Sequence, residues 1–346
     1  MLRNAARFGA LAALIFCAGT ARAQIEGIPR YDHILVIILE NHGFDLIIEK
    51  PIAPKIDKLA KKYGLAAHYY GVVHPSKANY IAMIAGQTFG IHDDEPYTHH
   101  TLDKRSLVDQ LEERNLTWKG YYQNIHEPGS KAVAFPDPQS PVLDPPSERY
   151  VAKHNAFINF SKVQKDQALL SKMVDFDQLF QDLFSGQMPN YAHIVPDQCH
   201  NMHGVDEKKH KDVPKECGYG NNDGRIAGGD EMIGALVAKI QASPIWSAQG
   251  NTAIVITWDE DHKDQHHKGE GCCGFEPTSE ANFGGGHVPT LVITNHGPGH
   301  VIDDTLYNHY SLLRTTEAAF GITEFLNLAG RADKGVKTMA KLFAVK

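Results

Sequence analysis

The sequence predicts an α/β protein in which helices sandwich a mainly parallel β-sheet. Four short segments are rich in apolar and β-branched residues, as is typical of strands buried on both faces of a sheet; they span 34–39, 191–195, 253–258 and 288–294. Helical periodicity occupies the segments 53–63, 79–85, 106–115, 175–184, 231–241 and 306–320. Strands that alternate with helices indicate crossover connections, and therefore parallel strand pairing.

Three irregular segments interrupt this alternation, at 126–146, 203–230 and 262–286. They are rich in Pro, Gly, Asn or Lys and lack periodicity, which predicts loops. Loops of this length in a compact α/β domain usually serve a function. We therefore expect them to form the walls of an active site.

The composition is that of an ordinary globular protein with a net negative charge. The chain has 346 residues, 42% of them hydrophobic and 22% charged, so it can bury a large core. Its 41 Asp and Glu outnumber its 34 Lys and Arg, which gives a formal net charge of −7. A nucleic-acid-binding domain is usually basic, so we expect no nucleic-acid partner. The 20 His residues are unusually many and suggest metal or phosphate chemistry.

Residues 1–23 have the features of a secretory signal peptide. Arginines precede an apolar region at 8–19, and a small-residue cleavage site follows at 21–23. The apolar region is shorter than the ~20 residues that span a bilayer, and no later segment reaches that length. We therefore expect no stable membrane span, export to the periplasm or the medium, and a single domain over 24–346.

Four cysteines lie in that domain: Cys199, Cys217, Cys272 and Cys273. An even number in an oxidising compartment predicts two disulfides, for which three connectivities exist. A tetrahedral zinc site is the alternative, although adjacent Cys272 and Cys273 lack the usual ligand spacing.

Polar residues follow or precede each of the four predicted strands. Ligands of open α/β sheets collect outside the carboxyl ends of the strands, so these residues should meet at one edge. They are Glu40 and Asn41 after the first strand, Asp197, His200 and His203 after the second, Asp259 and Glu260 after the third, and His287 before the fourth.

Ser76 lies in the segment HPSKANY, at 74–80, directly before an apolar helical stretch. This position predicts a helix N-cap, where free backbone N–H groups favour an oxyanion or a phosphate. Two interpretations remain open at this point: Ser76 is a reactive hydroxyl, or it only caps the helix.

Six ordered motifs resemble those of the bacterial phosphoesterase family, which includes secreted acid phosphatases and non-specific phospholipases C within the alkaline-phosphatase-like superfamily. They are ILVIILENH (34–42), HPSKANYIAMIAG (74–86), VPD with MH (195–203), ITWDE (256–260), GHVP (286–289) and NHYSLLRT (308–315). Each motif is weak alone, but together they follow the family's order across residues 34–320. The resemblance implies an alkaline-phosphatase-like fold.

The resemblance also implies a metal site. Ser76 would be both the nucleophile and a ligand, and Glu40, Asn41, Asp259 and Glu260 would complete the set. Oxygen donors of this kind suit one divalent ion, Mg²⁺, Mn²⁺ or Ca²⁺, and Zn²⁺ also accepts carboxylates. In two-metal members of the superfamily an Asp and His residues hold a second ion, which Asp197, His203 and His287 would imitate here; a single ion is the preferred prediction.

Further residues would contact the substrate. The resemblance implies that His203 and His287 are catalytic, through phosphate contact or proton supply to the leaving group. The predicted substrate-binding residues are His74, Asn79, Asp197, His200, Lys153 and His154, the last two because KHNAF at 153–157 resembles a family segment with Pro in place of Ala156.

These observations predict an exported, metal-dependent acid phosphatase that hydrolyses phosphate monoesters through a phosphorylated Ser76. Its expected partners are phosphorylated small molecules or lipid head groups, including phosphoinositides. A phospholipase C-type diesterase is the alternative; that branch is usually longer than this chain. An exported metal-binding protein would cluster His in low-complexity tracts, and a sulfatase would carry a nucleophile signature that is missing here.

Overall fold

The computed structural model describes residues 24–136, 147–262, 270–274 and 284–345. The predicted signal peptide lies outside these residues, as do parts of the first and third predicted loops. The strands are β1 (His33–Leu39), β2 (Gly64–Tyr70), β3 (Trp118–Tyr122), β4 (Ala134–Phe135), β5 (Tyr150–Val151), β6 (Met173–Val174), β7 (Tyr191–Val195), β8 (Thr252–Trp258), β9 (Thr290–Thr294) and β10 (Val301–Asn308).

Eight of these strands form one sheet in the order β10-β2-β9-β8-β1-β7-β3-β6, while β4 and β5 pair separately. Strand β1 lies between β7 and β8 and is parallel to both. Among the described strands of the eight-stranded sheet, only β9 runs antiparallel to its neighbours, β2 and β8. The predicted α/β class and mainly parallel sheet are therefore confirmed.

The central strands are buried because both faces of the sheet are covered. Every residue of β7, β8 and β9 is buried, and so is β1 after His33. Such strands read as continuous apolar runs, which explains why the sequence predicts these four. Strands β2, β3 and β10 were missed, because β2 and β3 mix aromatic and polar residues and β10 is partly exposed.

The α-helices connect and cover these strands. They are α1 (Phe44–Ile47), α2 (Pro54–Lys62), α3 (Ser76–Ala85), α4 (Leu107–Glu112), α5 (Ser161–Lys165), α6 (Gln167–Leu170), α7 (Phe176–Ser185), α8 (Asn222–Gln241), α9 (Pro244–Ser247) and α10 (His309–Ala319). All six predicted helical segments contain a helix. The predicted start of the last helix, at residue 306, is too early, because residues up to Asn308 still belong to β10.

Helix α8 begins inside the segment 203–230 that was predicted to be irregular. The Asn221 side chain accepts a hydrogen bond from the Gly224 N–H at 3.0 Å and caps the helix. Gly229 faces Met202 so closely that a Cβ at this position would lie 2.4 Å from the Met202 side chain. Gly224 thus takes part in the helix cap and Gly229 allows close packing, although both weaken the helical pattern in the sequence.

Helix α3 lies in the interior, and all ten of its residues are buried. It packs against α10. Pro75 is the N-cap residue and Ser76 is the first residue of the helix, so the expectation that Ser76 itself is the cap is wrong by one position. The hydroxyl of Ser76 is therefore not used for capping.

The four cysteines form two disulfides, as predicted, and of the three possible connectivities the structure has Cys199–Cys217 and Cys272–Cys273. The amide of Asn308 donates to the carbonyls of Cys272 and Cys273, at 2.8 and 3.2 Å, while its oxygen caps α10. The second disulfide is thus fastened to the start of α10.

Membrane-crossing helices are not found among the described residues, where each helix is too short or too polar to span a bilayer.

Glu317 is buried in α10 and gives stability a pH dependence. Leu326 N–H donates to its Oε1 at 2.8 Å, and burial raises the pKa of the carboxyl from 4.5 to about 8. Between these pH values the carboxyl is protonated in the folded protein and ionised in the unfolded chain, so stability falls as pH rises.

We expect Glu317→Gln to remove this loss. The difference in unfolding free energy between native protein and variant should change by at most about 1.4 kcal/mol per pH unit between pH 4.5 and 8, in favour of the variant at higher pH. Urea unfolding at several pH values measures it. Parallel stability curves for the two proteins would contradict the assignment.

Candidate active site

The site forms where β1, β8 and α3 meet at the carboxyl edge of the sheet. Leu39 and Trp258 are register partners at the ends of the paired strands β1 and β8, so Glu40 and Asp259 leave the sheet side by side. Glu260 follows directly, and Ser76 is presented by the amino end of α3. Glu40, Ser76 and Asp259 are all buried.

The Ser76 hydroxyl lies among three oxygen acceptors. Its Oγ is 3.0 Å from Glu40 Oε2, 3.3 Å from Glu260 Oε1 and 3.5 Å from Asn41 Oδ1. One hydroxyl proton can be donated to only one of them at a time, so the remaining lone pairs face each other.

Three carboxyl groups crowd this pocket, and their electrostatics favour a cation. Burial raises the pKa of Glu40 to about 8, even though Lys153 lies nearby. Burial raises the pKa of Asp259 well above its usual value, and the carboxylates of Glu40 and Glu260 add to the effect. The buried Asp259 Oδ2 has no hydrogen-bond partner within the described part of the chain. A bound divalent cation would complete this set, because it needs several oxygen ligands and offsets their mutual repulsion.

Asn41 adds an amide oxygen and a backbone contact. Its φ of 49° places it in the left-handed region, which Asn tolerates better than most residues. Its N–H lies 3.3 Å from Asp259 Oδ1 and donates to it. The turn after β1 therefore holds the Asp259 side chain in place.

Both polar atoms of the Asn79 side chain form hydrogen bonds inside the protein. Its Oδ1 accepts hydrogen bonds from the N–H groups of Val72 and Val73, at 2.9 and 3.1 Å. Its Nδ2 donates to the Val73 carbonyl and to Glu260 Oε2, at 2.7 and 3.3 Å. These contacts make Asn79 a positioning residue for Glu260, and its predicted substrate contact has no support in them.

His74 bridges two carboxylates on the far side of Glu260. Its Nδ1 lies 2.9 Å from Glu260 Oε2, and its Nε2 lies 3.2 Å from Asp261 Oδ1. Burial alone would lower the pKa of His74, but the two carboxylates raise it to about 9. A cationic His74 thus compensates part of the negative charge of the pocket.

Lys153, His154 and His203 line the pocket next to Glu40. His154 Nε2 lies 3.1 Å from Glu40 Oε1, and Lys153 Nζ lies 2.9 Å from Asp94 Oδ2 and 3.4 Å from His203 Nε2. Burial lowers the pKa of His203 to about 3 and that of His154 well below its usual value, so both rings are neutral. Glu40, His154 and His203 each offer one ligand atom, and these three atoms lie within 4.8 Å of one another. Such a spacing can hold a metal ion.

Two predicted residues, Asp197 and His200, pair with each other outside this cluster. His200 Nδ1 lies 2.9 Å from Asp197 Oδ1, and Asn124 Nδ2 donates to Asp197 Oδ2 at 2.7 Å. Asp197 also accepts from the N–H of Cys199, at 3.1 Å. The Asp197 carboxylate therefore organises the turn after β7.

His287 also lies apart from Ser76. Because β9 is reversed, its start lies at the carboxyl edge of the other strands, as the sequence predicts. The ring, however, stacks on Phe44 with centroids 4.5 Å apart, and its Nε2 lies 2.8 Å from the Ala67 carbonyl oxygen. Within the described residues its ring and hydrogen-bond contacts do not reach the cluster, so its catalytic role stays a prediction.

Four further residues support the site and were missed from the sequence. The Tyr80 hydroxyl donates to Glu40 Oε1 at 2.7 Å, and His309 Nε2 lies 2.6 Å from the Asp259 carbonyl oxygen. Asp94 holds Lys153, and Asp261 faces His74. Helical spacing could have indicated Tyr80, which lies one turn after Ser76 on the same face of α3.

Comparison with known proteins gives one family. A family model described as "Phosphoesterase family" matches residues 48–323. The chain is 23% identical over 320 residues to an acid phosphatase of Aspergillus fumigatus, covering 92% of this chain and 60% of that protein. It is also 23% identical over 326 residues to a phosphatidylinositol-3-phosphatase of Mycobacterium tuberculosis, covering 92% of this chain and 89% of that one.

Solved structures share the fold at low identity. A protein in the alkaline phosphatase superfamily from Vibrio parahaemolyticus aligns with TM-score 0.55 and 12% identity, over 89% of this chain and 72% of that one. The phosphonate monoester hydrolase of Agrobacterium radiobacter aligns with TM-score 0.53 and 14% identity, over 90% of this chain and 77% of that one.

The positioning role of Asn79 is testable by Asn79→Ala. The change leaves two buried N–H groups unpaired, at about 1–3 kcal/mol each, so the free energy of unfolding should fall by roughly 2–6 kcal/mol. Denaturant unfolding measures it. Asn79→Asp keeps the acceptor for Val72 and Val73 but places an oxygen against Glu260 Oε2 and the Val73 carbonyl, so it should also lose stability, and more at higher pH where the new carboxyl ionises. An Asn79→Ala protein with native stability would contradict the role.

Proposed function

Because the chain belongs to the Phosphoesterase family, we propose that it is a metal-dependent phosphoesterase that hydrolyses phosphate monoesters through a phosphorylated Ser76. One observation carries the proposal: a buried serine hydroxyl at a helix start is surrounded by carboxylate and amide oxygens, at 3.0 to 3.5 Å. A serine that only shaped the helix would not need three charged or polar partners of this kind.

The residues around Ser76 fit one hard divalent ion. Glu40, Asp259 and Glu260 supply carboxylate oxygens, Asn41 supplies an amide oxygen, and Ser76 supplies its hydroxyl. This donor set suits Mg²⁺, Mn²⁺ or Ca²⁺, and also Zn²⁺. When bound, such an ion lowers the pKa of the serine hydroxyl and neutralises charge on the phosphoryl oxygens.

The chain itself provides the nucleophile and its orientation. Ser76 Oγ attacks phosphorus as its proton passes to Glu40 Oε2, and the bond to the leaving oxygen breaks as that oxygen takes up a proton from solvent. Water then cleaves the phosphoserine, which releases phosphate and restores the Ser76 hydroxyl. Glu40 Oε2 lies 3.0 Å from Oγ and accepts the hydrogen of the serine hydroxyl, so it fixes the direction of the O–H bond. The amino end of α3 adds its dipole, which favours the negative charge that develops on the attacking oxygen.

On the Glu40 side of the pocket, Lys153 receives the phosphoryl group next to the neutral rings of His154 and His203. The Lys153 ammonium lies 3.4 Å from His203 Nε2 and keeps its charge, because nearby Asp94 and Glu40 raise its pKa despite burial. An ammonium at this place donates to phosphoryl oxygens as a point charge. His74, which is occupied by Glu260 and Asp261, acts on the substrate only through Glu260.

The substrate class follows from the relatives. Both are named phosphatases, and the chain covers 60% of the Aspergillus protein but 89% of the mycobacterial phosphatidylinositol-3-phosphatase. We therefore extend the proposal to monoesters on lipid head groups. Export is part of it, because residues 1–23 have signal-peptide features and the disulfide Cys199–Cys217 suits an oxidising compartment.

Replacing the nucleophile should separate catalysis from stability. Ser76→Ala should lower turnover of an aryl phosphate by several orders of magnitude, since the covalent intermediate cannot form, while the melting temperature changes little. Acid quench of native protein during turnover should trap phosphate on Ser76. Ser130→Ala, at a buried serine elsewhere in the chain, is the control. Normal turnover by the Ser76→Ala protein would refute the mechanism.

The monoester preference is tested by comparing two model substrates. Purified protein should hydrolyse an aryl phosphate monoester faster than the matching bis-aryl diester or a choline diester. Released phosphate and aryl alcohol are measured together. A tenfold preference for the diester would instead favour the phospholipase C-type alternative.

The metal site is tested by removing one carboxylate. Asp259→Asn should weaken metal retention and activity, because a hard cation loses a charged ligand. Metal content after dialysis against a chelator, measured by mass spectrometry, gives the result. Asp230→Asn removes a buried carboxylate that caps α2 instead, and should retain the ion. Full activity of stripped protein without a detectable ion would contradict the proposed metal.

A further inference from the structure

The group formed by Glu40, His154 and His203 raises the question of a second metal ion. A carboxylate and two neutral imidazoles are common zinc ligands, and their ligand atoms lie within 4.8 Å of one another. His203 Nδ1 lies 2.8 Å from the Gly204 carbonyl oxygen, so the proton sits on Nδ1 and the Nε2 lone pair faces the group. His203 Nε2 is therefore oriented to receive a positive charge.

A cation of the chain already lies beside one of these ligands. Lys153 Nζ lies 3.4 Å from His203 Nε2, the atom that would bind the metal. An ion bound to Nε2 at about 2.0–2.1 Å would lie no farther than about 5.5 Å from the ammonium. In a pocket that is largely buried, two positive charges so close repel strongly.

Asp94 keeps Lys153 at this place. Its Oδ2 lies 2.9 Å from Lys153 Nζ, while its Oδ1 accepts the N–H of Lys77, the residue after Ser76. The Lys153 side chain is only 22% exposed. The ammonium is thus fastened by a carboxylate that is itself held at the start of α3.

We propose that Lys153 occupies the second cation position, so that the protein binds one divalent ion and Glu40, His154 and His203 form a latent metal site that opens when the ammonium is removed. The inference rests on the proposed function for the first ion only. It also explains how the pocket presents a fixed positive charge next to His203 without a second metal.

Equilibrium dialysis against Zn²⁺, followed by metal quantification, tests the inference without an activity measurement. Native protein should bind about one equivalent, and Lys153→Met about two. Lys153→Gln should also bind about two, and it keeps a donor for Asp94 if the Met variant folds poorly. Adding His203→Ala to either variant should return the count to one.

Lys172→Met is the matched control, because Lys172 is similarly buried and paired with Glu112 away from the pocket; it should bind one equivalent. Two equivalents in the native protein, or one in both Lys153 variants, would overturn the inference. No ion in the native protein but one in the Lys153 variants would support the inference and contradict the metal of the proposed function. No ion in any of them would contradict both.

Discussion

The repulsion among Glu40, Asp259 and Glu260 is the constraint on which the site depends. Three carboxyl groups are buried around one hydroxyl, where isolated negative charges are costly. The surrounding residues compensate in different ways: Tyr80 donates to Glu40, and a cationic His74 pairs with Glu260. The fold keeps this unfavourable arrangement because paired parallel strands end there and a buried helix fixes the serine between them.

The position of this cluster could be predicted because strand ends determine it. Glu40 and Asp259 follow two buried apolar runs, and adjacent parallel strands bring their next residues together. Side-chain direction could not be predicted in the same way. His287 begins a strand at the correct edge, yet its ring turns toward Phe44. His154 reaches Glu40 from a short 3₁₀ turn outside the sheet, where only the resemblance of its segment pointed to it.

The fold was predictable to the extent that burial leaves a signal in the sequence. Strands β1, β7, β8 and β9 are buried throughout or nearly so and appear as apolar runs. Strand β10 alternates between exposed and buried residues over part of its length, so its last residues were merged with α10. Reversal of β9 could not be inferred either, because an apolar run has the same appearance in both directions.

Complete burial of α3 has a consequence for how the protein can change during evolution or design. Close packing on every side means that a larger or smaller residue anywhere along this helix disturbs its neighbours. Helix α3 therefore holds Ser76 rigidly, and substitutions within the helix are a poor route to a change in its reactivity. New substrate preferences must therefore arise at the rim, where residues such as His200 are partly exposed and can be exchanged without repacking the interior.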